Sequence, residues 1–145
     1  MQINSRKFTS ATDHLNAEAN AEGPGVVDPT PFVGNWINTN ESARHKIARV
    51  VMKVKDGILI VHAYGDCSPD LCDWGEVEAD VFADSIASDV AMSFSAVYDF
   101  GFMETYLQSN IKHGTLVIAS CNKFKDGSGR SNYYTREFFY QIEDE

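Results

Sequence analysis

No apolar run in this chain approaches the roughly 18 residues that would cross a bilayer as a helix, so a helical membrane anchor is not expected within it. Met1 to Asn20 contain no apolar stretch of the kind a secretory signal carries, and a cytoplasmic location is the expectation. Positive charge is scarce: 12 Lys and Arg stand against 21 Asp and Glu, a net charge of −9. Such a surface is repelled by phosphate backbones and anionic bilayers, so neither nucleic acid nor membrane is an expected partner. Familiar catalytic signatures are missing as well. No P-loop, G-x-G-x-x-G or H-E-x-x-H occurs, and no cofactor or metal is expected. Asp99-Phe100-Gly101 spells a kinase tripeptide, but 145 residues are too few for a kinase and no H-R-D loop accompanies it.

What remains is an ordinary globular composition, 43% apolar and 23% charged, in a chain sized for one domain. Residues 1–31 read as a polar, flexible N-terminal arm. A short helix over His14 to Glu22 is the weaker alternative, since Gly23-Pro24-Gly25 and Asp28-Pro29-Thr30-Pro31 break any period. Residues 143–145 form an acidic tail. Between them, 32–142 breaks into eight short apolar runs near 32–38, 47–55, 58–64, 74–83, 91–99, 102–109, 115–123 and 132–142. Turn residues separate the runs, and no helical period is long enough for a crossover. That favours antiparallel hairpins over β-α-β units. The expected fold is all-β: an eight-stranded antiparallel up-and-down barrel, with a sandwich of the same strands as the competitor.

Alternation assigns faces. Ala48, Val50, Met52 and Val54 are expected inside, as are Val77, Ala79 and Val81, and Met92, Phe94, Ala96 and Tyr98. In the last strand Tyr134, Phe138, Tyr140 and Ile142 are the apolar parity, which turns Arg136 inward with them.

Phe32-Val33-Gly34-Asn35-Trp36 opens the first strand and resembles the G-x-W signature of lipocalins and their calycin relatives. The resemblance covers Phe32 to Ile142. It implies a barrel whose Trp36 closes one end, with an Arg of the last strand packed across it, and Arg136 is the match. The C-terminal helix usual in lipocalins is absent from this stretch. The block His62 to Gly75 is no lipocalin signature, and is similar to one found in small, uncharacterised lipocalin-like domains of microbes.

Cys67 and Cys72 bracket Ser68-Pro69-Asp70-Leu71 between two runs. A disulfide across the hairpin neck is expected. The alternatives are two reduced thiols, or a zinc site completed by His62 that would lack the second Cys pair zinc ribbons use. Cys121, in an apolar run, reads as a buried inert thiol.

A turn decides where His62 points. A two-residue Asp56-Gly57 turn pairs Lys55 with Ile58 and sends His62 outward with Lys53. A three-residue Lys55-Asp56-Gly57 turn pairs Val54 with Ile58 and faces His62 and Tyr64 inward. Lys-Asp-Gly suits a type I turn closed by a left-handed Gly, so the inward register is expected.

The expected function is binding of a small, largely apolar or aromatic molecule inside the barrel. Trp36, Tyr64, Trp74, Phe94, Tyr98, Tyr106, Tyr134 and Phe138 would form its walls. The alternative is a cofactor-independent isomerase or cyclase of a specialised metabolite, with His62, Tyr64 and Arg136 as acid–base and charge-stabilising groups. A third class is an interaction module using the cations Arg44, Lys46, Arg49, Lys53 and Lys55, otherwise a solvated face. Neither the ligand nor the oligomeric state is readable from these residues.

Overall fold

Two tight hairpins set the register of the sheet. In the computed structural model, which describes residues 10–12, 25–42 and 46–143, Asp56 and Gly57 have φ of 54° and 78°. His113 and Gly114 repeat the pattern at 52° and 76°. Two adjacent left-handed residues make the I′ class of turn, whose twist matches that of the flanking strands. Lys55 therefore pairs with Ile58, and Lys112 with Thr115.

The eight expected runs are all strands: β1 (Gly34–Asn38), β2 (Ile47–Lys55), β3 (Ile58–Asp66), β4 (Leu71–Phe82), β5 (Ser93–Asp99), β6 (Met103–Lys112), β7 (Thr115–Phe124) and β8 (Tyr133–Ile142). Each pairs antiparallel with the next, and β8 returns to β1, so the sheet is a closed barrel with no free edge. β3 and β4 reach further than alternation suggested and shrink their connection to residues 67–70. Cys67 and Cys72 staple this neck as a disulfide, with Cα atoms 5.5 Å apart. Closing so short a loop is worth about 2 kcal/mol on the chain-entropy model. The native protein should gain two daltons on reduction, and the Cys67→Ser, Cys72→Ser double variant should lose about that stability in urea. Full alkylation of both thiols without reductant would contradict the staple.

Most of the arm expected over 1–31, the helix considered over 14–22 and the end of the tail lie outside the described residues. The last part of the arm is packed. Asp28 bridges to Val90, with its amide bonded to the Asp89 carbonyl at 2.6 Å and its carbonyl accepting from Ala91 at 3.0 Å. The Asp28 carboxylate accepts from the Thr30 hydroxyl and amide, which holds its pKa below the usual range and starts one 3-10 turn over Thr30–Phe32.

That turn closes one end of the barrel. Phe32 is fully buried and meets Phe94 edge-on with centroids 5.2 Å apart, while Trp36 donates its indole N–H to the Phe32 carbonyl at 3.0 Å. Inside, Val50, Met52, Leu59, Val61, Phe94 and Phe139 are almost wholly withdrawn from water and form the packed core. The other inner wall, from β6 to β8, is mixed: Thr105, Ser109, Ser120, Asn122 and Glu137 are buried there among Leu107, Leu116, Ile118 and Phe139. Thr105 donates to Asn122 at 2.8 Å, and Asn122 to the Tyr133 carbonyl at 3.3 Å. Among the described residues every buried side-chain polar atom has a partner, which is what makes polar groups on this inner wall tolerable.

Candidate functional site

At the end opposite the plug, aromatic rings line the mouth. A β-bulge starts the arrangement: Trp74 and Gly75 of β4 together face Ala63 of β3, and Gly75 takes the φ of +83° that the bulge requires. Trp74 thereby turns inward over Gly65, where an added Cβ would lie 2.7 Å from the indole nitrogen. Tyr98 reaches the same bulge from β5. Its hydroxyl accepts the Ala63 N–H at 3.0 Å and lies 2.8 Å from the Gly75 carbonyl, the nearer acceptor for its own proton. Burial pushes the phenol pKa up to about 12, against the pull of that N–H.

From Trp74 the ring contacts run around the rim. Trp74 meets Tyr98 and Phe100 edge-on at 5.5 and 5.3 Å, and Phe100 lies 6.3 Å from Phe102. The Arg130 guanidinium then sits 5.5 Å from the Phe102 centroid and 4.3 Å from that of Phe124, which neighbours Tyr133 at 6.2 Å. Arg130 is aimed by its own loop: it pairs with Asp126 at 2.6 Å and donates to the Ser128 hydroxyl at 3.0 Å. Hydrogen bonds from Ser128, then from Arg130, hold the Asp126 pKa down at about 2. Lys125 ties this loop to the β5–β6 turn through Asp99 at 2.9 Å and Glu104 at 3.0 Å. Below the rim, Lys46 pairs with the buried Glu137 at 2.7 Å. The site is an aromatic ring with one planar cation over it and an ion pair beneath.

Several expected site residues lie elsewhere. The I′ turn at Asp56-Gly57 puts Val61 and Ala63 inside, so His62 and Tyr64 point outward, contrary to the inward register expected. There His62 Nε2 bonds Asp73 Oδ1 at 2.5 Å, lowering the Asp73 pKa, and its ring stacks on Tyr64 at 4.5 Å. Arg136 is also outside. β8 pairs Phe139 with Leu116 and Gln141 with Trp36, so Thr135, Glu137 and Phe139 face inward and Arg136 lies over Phe138, 4.9 Å from its centroid. The residue beside Trp36 is Gln141, whose amide donates to the Val33 carbonyl at 3.0 Å. The proposed trio of His62, Tyr64 and Arg136 thus shares no cavity: two sit outside β3 and one outside β8.

Of the expected walls, Trp36, Trp74, Phe94 and Tyr98 face inward, with Trp36 and Phe94 in the closed end. Tyr64, Tyr106, Tyr134 and Phe138 are on the outer surface. Cys121 is exposed rather than buried, because it shares the outward parity of Tyr106 and Tyr134. The zinc reading loses its ligands, since its two sulfurs are joined to each other. Of the cations suggested as a docking face, Lys46 turns to Glu137, Arg49 bonds Asn35 and Lys53 pairs with Glu76. Arg44 lies outside the described residues.

Sequence reasoning missed Phe100, Phe124, Tyr133 and Arg130 as site residues. A signal for the rings was present: in an up-and-down barrel every second turn falls at the same end, and these aromatics flank such turns. Compared with known proteins, the chain matches no family model, no curated protein and no solved structure.

Proposed function

We propose that this is a lipocalin-like binding protein for a small, largely apolar or aromatic molecule, held at the open mouth rather than deep in the barrel. The observation that carries this reading is the run of ring contacts from Trp74 through Phe100 to Phe102, continued to Phe124 by the Arg130 guanidinium that lies over both Phe102 and Phe124. A flat ligand gains stacking and desolvation there, and an anionic substituent gains the guanidinium. The opposite end is plugged by Phe32 and Trp36, so entry is from this side.

The test uses 1-anilinonaphthalene-8-sulfonate, an aromatic anion, titrated into a Trp36→Phe background in which Trp74 is the remaining tryptophan. The expected result is saturable one-to-one binding that quenches Trp74 and weakens about tenfold in Gly65→Ala and in Phe100→Ala. The same affinity should survive Tyr134→Glu on the outer surface. No saturable binding, or binding sensitive only to Tyr134, would overturn the mouth as the site.

A further inference from the structure

The outer surface of β5 to β8 is apolar where a solvent face is ordinarily polar. It presents Val97, Tyr106, Cys121 and Tyr134 as four directly paired neighbours across four strands. Phe138 and Tyr140 extend this row along β8. Val97 is 49% exposed, Tyr106 43%, Tyr134 60%, Phe138 40% and Tyr140 50%. At roughly 200 Å² per aromatic side chain this leaves about 450 Å² of apolar surface in contact with water. That matches the largest apolar patch on a typical monomer, and such patches often mark an interaction site. A stable dimer buries about 800 Å² per partner, a little over half of it apolar. The patch supplies that apolar share, and Ser95, Gln108 and Arg136 supply polar ground among and beside it.

Charge points to the same occupant. The opposite outer wall, β2 to β4, carries Lys53, Lys55, Glu76, Glu78 and Asp80, whereas the β5–β8 face carries Arg136 within the row and the opposite charges Glu104 and Lys123 paired at its edge, Glu104 accepting from the Tyr106 hydroxyl. Two copies meeting through this face keep Glu76, Glu78 and Asp80 of one away from those of the other and bury a row whose flanking charges, Glu104 and Lys123, are of opposite sign. The closed barrel has no free edge, so copies must meet face to face rather than by strand addition. We propose that the outer face of β5–β8 is a homodimer interface, with Cys121 inside it. This is independent of the ligand reading.

Sedimentation of the full chain at about 0.1 mM should give twice the chain mass and revert towards one chain on dilution. Because each copy carries −9, added salt should tighten the dimer several-fold by screening. Tyr134→Glu and, separately, Phe138→Glu should give monomers with an unchanged strand spectrum, since both side chains are exposed in the single chain. Maleimide labelling of Cys121 in the native chain should slow several-fold as concentration rises, which needs no variant. A single-chain mass at about 0.1 mM would overturn the proposal. So would a dimer indifferent to both substitutions, or a monomer that binds zwitterionic lipid vesicles through Tyr134.

Discussion

Replacing Trp36 with alanine is expected to cost about 3–5 kcal/mol of stability, among the largest single-residue losses the barrel should show. The ring is fully buried against the plug and its N–H is bonded to the Phe32 carbonyl. Truncation removes a large apolar group from the core and frees the 3-10 turn that carries Phe32, whose carbonyl loses its indole donor. Against a total of about 5–15 kcal/mol the chain would sit near its threshold, with Tm lowered by about 10–25 °C. Trp36→Phe keeps most of the ring, loses the N–H and should cost less than half as much. Urea melts followed by far-ultraviolet circular dichroism check both. A Trp36→Ala loss under about 1 kcal/mol would mean that the plug holds without its indole.

Tyr98→Ala should be comparably damaging, at about 3–5 kcal/mol, and Tyr98→Phe intermediate, at about 1–3 kcal/mol. The phenylalanine variant keeps the packing but strands the buried Ala63 N–H, which has the Tyr98 hydroxyl as its acceptor at the bulge. The hydroxyl also confers a pH dependence of known sign. An unfolded tyrosine ionises near 10, and Tyr98 near 12. Between those values the unfolded chain releases a proton that the folded chain keeps. The contribution is complete below pH 10, falls as pH rises, and is exhausted above 12. It amounts to roughly 2–3 kcal/mol. Alkaline melts of the parent should show this descent, and Tyr98→Phe should remove that part of it. Parallel curves for the two proteins would place the titration on another tyrosine.

The two hairpin turns show where sequence reasoning was strong and where it stopped. Asp56-Gly57 and His113-Gly114 announce strand reversals on composition alone, and the short apolar runs between such breaks were enough for eight strands and a barrel. The resemblance of Gly34-Asn35-Trp36 to the lipocalin signature implied a Trp36 at a closed end, and the structure buries that ring beside a 3-10 turn the sequence did not announce. The facing of His62 was not decidable locally. Both turn lengths suit Lys55-Asp56-Gly57, and a slip of one residue moves every side chain of β3 to the other face.

The last strand failed for a different reason. Tyr133-Tyr134 and Phe138-Phe139 put large apolar groups on both parities, so alternation had no contrast to read. Hydrophobicity favoured the parity containing Arg136. Pairing with β7 and β1 chose the other, burying Glu137 beside Lys46 and leaving Tyr134, Phe138 and Tyr140 outside. Sequence by itself determined the strand count, the antiparallel order and the hairpin neck that Cys67 and Cys72 bracket, because each rests on residues close together in the chain; the packed end of the arm, expected to be flexible, came only with the tertiary structure. Only the tertiary structure decided which side of β3 and β8 faces in and which rings meet at the mouth. Those outcomes depend on register between strands as far apart in sequence as Asn35 and Ile142, set by closure of the barrel rather than by any one segment.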